Sequence, residues 1–230
     1  MKTLSNSRNL DILFEDNHLI IINKKPGDIV QKDKTNDISL LEIVKEYLKR
    51  KYNKPGNVYL GLIHRIDRPT SGLVMFAKTS KALSRMNNML KGKMIVKTYW
   101  AITKNKPEKE SSQLVHWLKK NEKKNKSTHF SRETKNAKKA ILDYTIIKEL
   151  ENYFLLEIIM GSGRHHQIRC QLQAIGCPIK GDLKYGAKRS NSDGSIDLHA
   201  KHLKFIHPVT KKEVNLNAPV RENKIWQSCV

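Results

Sequence analysis

The sequence predicts a chain that mixes strands with helices, and two observations carry that prediction. Short apolar runs recur between glycine, proline and acidic turns, as strands of hairpins do, and longer segments place apolar residues at helical spacing behind a capping residue. Residues 12–14 and 19–22 flank Glu15-Asp16-Asn17 and read as a hairpin that ends at Lys24-Lys25-Pro26-Gly27. Ser39 and Glu42 make a capping box, and Leu40, Leu41, Val44, Tyr47 and Leu48 follow on one face, so a helix is predicted over residues 40–51. A second helix is predicted over 81–90, with Ser80 as cap, Ala82, Leu83, Met86 and Leu90 as its buried stripe, and Gly92 just past its end. Residues 58–63 and 73–77 read as buried strands around a sharp turn at 66–72, where Pro69 fixes one backbone angle and Gly72 supplies another. Residues 95–103 have strand composition, and 141–147 and 153–159 read as paired strands about residues 149–152. Gly161-Ser162-Gly163 turns into a helix whose Ile168, Leu172 and Ile175 share a face until Gly176 stops it. Residues 187–196 read as a mobile loop.

A chain of 230 residues suits a single domain, or two intimate subdomains, with a real core. Lys and Arg number 44 against 22 Asp and Glu, a net charge of +22, which points to a polyanionic partner. No apolar run approaches the roughly 20 residues of a spanning helix, so nucleic acid is favoured over membrane. The first residues lack a signal-peptide apolar core, and a cytoplasmic protein is expected. Cys170, Cys177 and Cys229 are odd in number and without Cys-x-x-Cys spacing, which supports neither a disulfide framework nor a zinc knuckle.

The chemistry is concentrated at two stretches. Asp67 sits in the turn at 66–72, beside apolar strands, where a carboxylate needs compensation from Arg65, Arg68 or a basic residue brought from elsewhere. Arg169 flanks the apolar face of the third helix, and its guanidinium fork suits a half-buried Asp. Between residues 104 and 139 lysine crowds in, including Lys119, Lys120, Lys123 and Lys124; a solvated loop and a phosphate-contacting segment both fit this composition.

His64-Arg65-Ile66-Asp67-Arg68-Pro69-Thr70-Ser71-Gly72-Leu73, closed by Ala77-Lys78, resembles the central motif of the RluA-type pseudouridine synthases, whose catalytic residue is the Asp. Lys97-x-Tyr99-x-Ala101, Gly163-Arg164-x-His166-Gln167-x-Arg169 and the stretch from Cys177 to Gly186 resemble further family motifs in the same order, so the resemblance covers residues 9–219. Ser162 and His165 depart from it, standing where the family has Thr and Thr or Ser, and Leu142 stands where relatives often have Thr. The hairpin near residue 10 leaves no room for the S4-type domain that many relatives carry in front.

The resemblance implies an α+β fold, a mainly antiparallel sheet with flanking helices and a central basic cleft. It implies isomerisation of uridine to pseudouridine in tRNA or rRNA, on a nucleotide extruded from its stack, by a monomer that needs no cofactor or metal. Asp67 is then the catalytic carboxylate, Arg169 the cation that keeps it ionised, and Tyr99 the ring against the target uracil. His64 and Arg65 fill the vacated space, and Arg68, Arg164, His166 and the four lysines are candidate RNA contacts. A non-catalytic RNA-binding protein on the same fold is the alternative, and an N-glycosidic hydrolase is a second rival. The histidines at 165, 166, 199, 202 and 207 form no ligand pattern for a metal.

Overall fold

The computed structural model describes residues 4–230. In chain order it contains strands β1 (Ile12–Glu15) and β2 (Leu19–Lys24), helix α1 (Leu40–Lys51), strands β3 (Gly61–Leu62) and β4 (Ser71–Ala77), helix α2 (Ser80–Lys91) and strand β5 (Val96–Thr103). Then follow β6 (Ser111–Asn121), β7 (Lys126–Phe130), β8 (Lys138–Glu149), β9 (Phe154–Met160), α3 (Gln167–Ala174), a 3-10 turn at Leu183–Tyr185, β10 (Leu198–Ile206), β11 (Glu213–Asn217) and the short α4 (Lys224–Gln227). The described chain divides into two compact units: residues 1–97 with 200–220, and residues 98–199 with 221–230.

In the first unit β2 lies antiparallel between β1 and β4, with β3 also paired to β4 and β11 to β10. Leu19 to Ile22 and Leu73 to Ala77 are sealed from solvent, because continuous apolar strands are covered on both faces. The Ser39–Glu42 capping box forms as expected and starts α1 at Leu40. Glu15 closes the first hairpin, its carboxylate receiving Tyr47, Tyr52, Lys51 and Lys78.

Two expectations shift here. The predicted strand over 58–63 contracts to Gly61–Leu62, since Val58 and Leu60 are buried without joining the ladder. The cap of α2 is Thr79, whose hydroxyl accepts from Ala82 N at 3.1 Å, so Ser80 becomes the first helical residue. Two adjacent capping residues offered the helix two starts, and the one with extended backbone took it.

In the second unit β5, β9, β8, β6 and β7 are joined in that order by antiparallel pairings. The lysine-rich segment, which composition allowed as a loop, carries the β6–β7 ladder: Leu114 and Leu118 point inward at strand spacing while Lys119 and Lys120 are exposed. Residues 187–196 carry no helix or strand, yet they are pinned rather than loose. Lys180 holds Asn191 Oδ1 at 2.7 Å, Ser195 Oγ bonds Asp193 at 2.5 Å, and Arg221 bridges Asp193 and Ser195.

The last residues return to this unit. Trp226 is wholly buried and donates its indole N–H to Asp197 Oδ1 at 3.1 Å, while Asp197 also pairs with Lys180 at 2.8 Å. Cys170, Cys177 and Cys229 are free and buried. No described helix is long and apolar enough to cross a membrane.

Candidate active site

The first unit presents the Asp67 turn. Thr70 N donates to Asp67 O at 3.0 Å, closing Asp67-Arg68-Pro69-Thr70 into a turn that leaves Asp67 half-buried between the buried Ile66 and Thr70. Gly72 follows at φ +107°, and a Cβ there would lie 2.3 Å from Ala200 O, so both angle and space demand glycine.

Beneath the turn lies Lys24, 1% exposed, whose ammonium donates to the carbonyls of Lys25 at 2.9 Å, Asp28 at 2.9 Å and Arg68 at 3.1 Å. Burial brings its pKa down to about 7, against the opposing charges of Asp28 and Asp67. Gly27 N also donates to Arg68 O at 2.9 Å, and Arg68 returns its Nε to Gly27 O at 3.0 Å and its Nη2 to Asp37 at 2.5 Å. Asp28 in turn accepts from Leu4 N, Ser5 N and Ser5 Oγ. A lysine in Lys-Lys-Pro-Gly normally reads as solvated, so its sequence gave no sign of this support.

Of the basic residues expected to meet RNA here, Arg65 is exposed, whereas Arg68 braces the turn internally. His64 Nε2 accepts from Met75 N at 3.3 Å. Burial, with the nearby charge of Lys97, pushes its pKa down to about 3, so the ring is neutral and offers no charge to a phosphate.

The second unit carries Tyr99, Arg164, His166 and Arg169. Tyr99 lies on β5 opposite Ile158, 8% exposed. His166 takes a left-handed conformation at φ 51° and starts α3. Gln167 fixes that entry: its Oε1 receives Ser162 Oγ at 2.8 Å and Arg164 N at 2.9 Å, and its Nε2 donates to Ile141 O at 2.9 Å. Ser162 Oγ accepts from Ile141 N at 2.9 Å, so a hydroxyl contact to β8 is present with serine at this position.

Arg169, 5% exposed, forks to Asp182, 1% exposed, through Nε at 2.7 Å and Nη2 at 2.8 Å. The guanidinium also lies 5.0 Å from the centre of the Tyr185 ring. The sequence reading offered Arg169 to a half-buried Asp and gave it the task of keeping Asp67 ionised; the carboxylate its guanidinium forks to here is Asp182, thirteen residues on, which a tertiary turn brings there and the sequence reading did not name. Tyr185 OH accepts from Ser127 N at 2.8 Å and lies 3.0 Å from His166 Nδ1; burial raises the phenol to about 12. His165 stacks on His166 at 3.8 Å and sets Nδ1 2.9 Å from Ser127 Oγ, so the residue replacing Thr or Ser ties α3 to β7.

Arg164 is exposed, with its Nε on Lys139 O at 3.0 Å. Lys119, Lys120, Lys123 and Lys124 are exposed on the end of the β6–β7 hairpin, where Lys120 pairs with Glu122 at 2.6 Å. Among the described residues no group of three or more His, Cys, Asp and Glu is gathered in a way that could hold a metal.

The family model for RNA pseudouridylate synthase matches residues 18–174, which include the Asp67 turn, Tyr99 and Arg169. The chain belongs to the RNA pseudouridylate synthase family. Its activity is accordingly that of an RNA pseudouridine synthase, an isomerase acting on uridine in RNA, and the reading as a purely RNA-binding protein is not favoured. It is 35% identical over 210 residues to the ribosomal large subunit pseudouridine synthase C of Rickettsia felis, covering 90% of this chain and 66% of that one. Thus it spans about two thirds of that relative's length. It is 30% identical to the ribosomal large subunit pseudouridine synthase D of Zymomonas mobilis, over 93% of this chain and 70% of that one. The structure of human RNA Pseudouridylate Synthase Domain Containing 4 superposes with a TM-score of 0.76 at 23% identity, covering 92% of this chain and 89% of the other, which bears on the fold alone.

Proposed function

We propose that this chain converts uridine to pseudouridine in large-subunit ribosomal RNA, as a cytoplasmic monomer, with Asp67 as its catalytic carboxylate. The observation that carries this reading is the bracing of the Asp67 turn. A solvated acidic turn needs no buried lysine beneath it, whereas here Lys24 and Arg68 hold the backbone and Gly72 presses on β10. Such support is what a reacting group needs to keep its geometry.

In the reaction the C1′–N1 bond breaks, the uracil turns and a C5–C1′ bond forms; C5 loses a proton and N1 gains one, with no net redox change. An ionised carboxylate serves as nucleophile or as proton acceptor in such a sequence. Tyr99 takes the role of the ring against the extruded uracil, and Arg169, oriented by Asp182, that of the cation favouring the charged carboxylate. Arg65, Arg164 and the exposed lysines are the proposed phosphate contacts, because they carry positive charge at the surface. The ribosomal substrate rests on the names of the relatives.

Asp67→Asn keeps the shape and removes the charge. It should abolish pseudouridine formation on large-subunit ribosomal RNA while RNA affinity stays within a few-fold. Turnover near the wild-type rate would remove Asp67 from the mechanism. Mapping pseudouridines in cellular RNA with and without the protein would identify the position, and loss confined to tRNA would overturn the ribosomal assignment.

A further inference from the structure

The β7–β6–β8 ribbon has two unlike faces. On the face toward α3, Leu118 and Ala140 pack with Cys170 and Tyr185, and Gln171 reaches Leu114 O and His116. Side chains alternate along a strand, so the opposite face is lined by Val115, Trp117 and Lys119 of β6. In register with Trp117 stand Phe130 on β7 and Lys139 on β8, the lysine ammonium lying 5.8 Å from the Trp117 ring centre. Directly opposed strand residues hold their Cβ atoms about 4.5–5.5 Å apart, so the two aromatic side chains are neighbours on one surface. Both rings remain partly open, while Lys119 and Lys139 beside them are exposed.

A cross-strand aromatic pair steadies the ribbon by itself, and here it is also partly open. Its surroundings point to the occupant. Residues 119–139 hold nine lysines and arginines against two glutamates. Flat rings set among cations suit single-stranded nucleic acid: each unpaired base offers a π-face to stack, and its phosphate meets a lysine. A duplex hides its bases and gains only from the charge.

We infer that the outer face of this ribbon is a stacking platform on which Trp117 and Phe130 take unpaired bases of the substrate RNA, with Lys119 and Lys139 on the adjoining phosphates. This rests on the reading of RNA as the substrate. It adds a point of contact besides the reacting uridine, and a preference for RNA whose target neighbourhood is single-stranded.

The test uses the full chain with fluorescein-labelled oligouridylate, an RNA duplex of the same length and a salt series. Trp117→Thr should weaken oligouridylate binding roughly tenfold or more, leave the salt slope unchanged and leave duplex binding alone. Trp117→Phe should stay within a few-fold, since a ring is retained. If the threonine variant does not fold, tryptophan emission decides. Oligouridylate should quench it in the wild type, and Trp117→Phe should lose that quenching while still binding.

Single-strand affinity unchanged in a folded Trp117→Thr variant, or full quenching persisting in Trp117→Phe, would overturn the platform. So would a dimer that Trp117→Thr dissociates without effect on RNA, which would assign this face to a second copy. Wild-type protein that binds oligouridylate through Trp117 but makes no pseudouridine in ribosomal RNA would leave the platform standing and refute the catalytic reading instead.

Discussion

Replacing Glu15 by Gln tests how a single carboxylate organises the first unit. Glu15 Oε2 receives Lys51 Nζ at 2.7 Å and Tyr47 OH at 2.9 Å, and Oε1 receives Lys78 Nζ at 2.9 Å and Tyr52 OH at 2.8 Å. Burial raises its pKa, but the four donors outweigh burial and bring it from 4.5 to about 2. At about 1.4 kcal/mol per unit the difference corresponds to about 3 kcal/mol of stability at neutral pH. The upward shift of Lys51 is the same interaction seen from its partner and is not added. Because the folded pKa lies below the unfolded one, the stabilisation is complete above about pH 4.5 and fades as pH falls toward 2.

Denaturant unfolding of wild type and Glu15→Gln should therefore differ by about 3 kcal/mol at pH 7 and by about 2 kcal/mol near pH 3.5. A difference that does not move with pH would show that the charge is not the source. A difference below about 0.5 kcal/mol at pH 7 would show that the four donors gain as much from water as from Glu15.

Three further perturbations bear on the site. Asp182→Asn should destabilise by about 3–5 kcal/mol, because it removes the buried charge to which the Arg169 guanidinium forks, and Arg169→Met combined with Asp182→Leu should recover part of that loss in thermal melts. Gly72→Ala should cost about 3 kcal/mol or more from a disfavoured backbone angle and collision with Ala200, seen as a lower melting temperature; wild-type stability would mean β10 can shift aside. Replacing Lys119, Lys120, Lys123 and Lys124 together by Gln should change the slope of log affinity against log salt by up to about 3 units while the single-turnover rate at saturating RNA holds. An unchanged slope would make these lysines a solvated turn.

What the sequence revealed was local or periodic. The Ser39–Glu42 box and the helix behind it needed only neighbours within a turn, and the strand that follows Asp67 announced itself as an apolar run. The pairing of Arg169 with Asp182 and the burial of Lys24 under Arg68 O escaped, because a charged residue's partner is chosen by the tertiary path and leaves no spacing to read. The β6–β7 strands were obscured for a different reason. Their fully buried positions are few and lysines crowd the end of the hairpin, so composition resembled a loop while the alternation was that of a ladder. Asp67 stood out through its resemblance, since a lone carboxylate in a turn is otherwise unremarkable.

The way the chain divides has a bearing on synthesis. Residues 200–220 supply β11 and most of β10 to the unit that begins at the N-terminus, and residues 221–230 supply the buried Trp226 to the other. A ribosome delivers these segments after the strands they complete, so neither half is finished when its first strands emerge, and β4 waits more than a hundred residues for β10. Until then β4 has an open edge along an apolar strand, the kind of edge that recruits neighbours. Nascent chains halted before residue 198 should therefore aggregate or call on chaperones, while full-length release should end that exposure. Residues 198–230 should thus govern the folding yield while lying outside the sequence motif around Asp67.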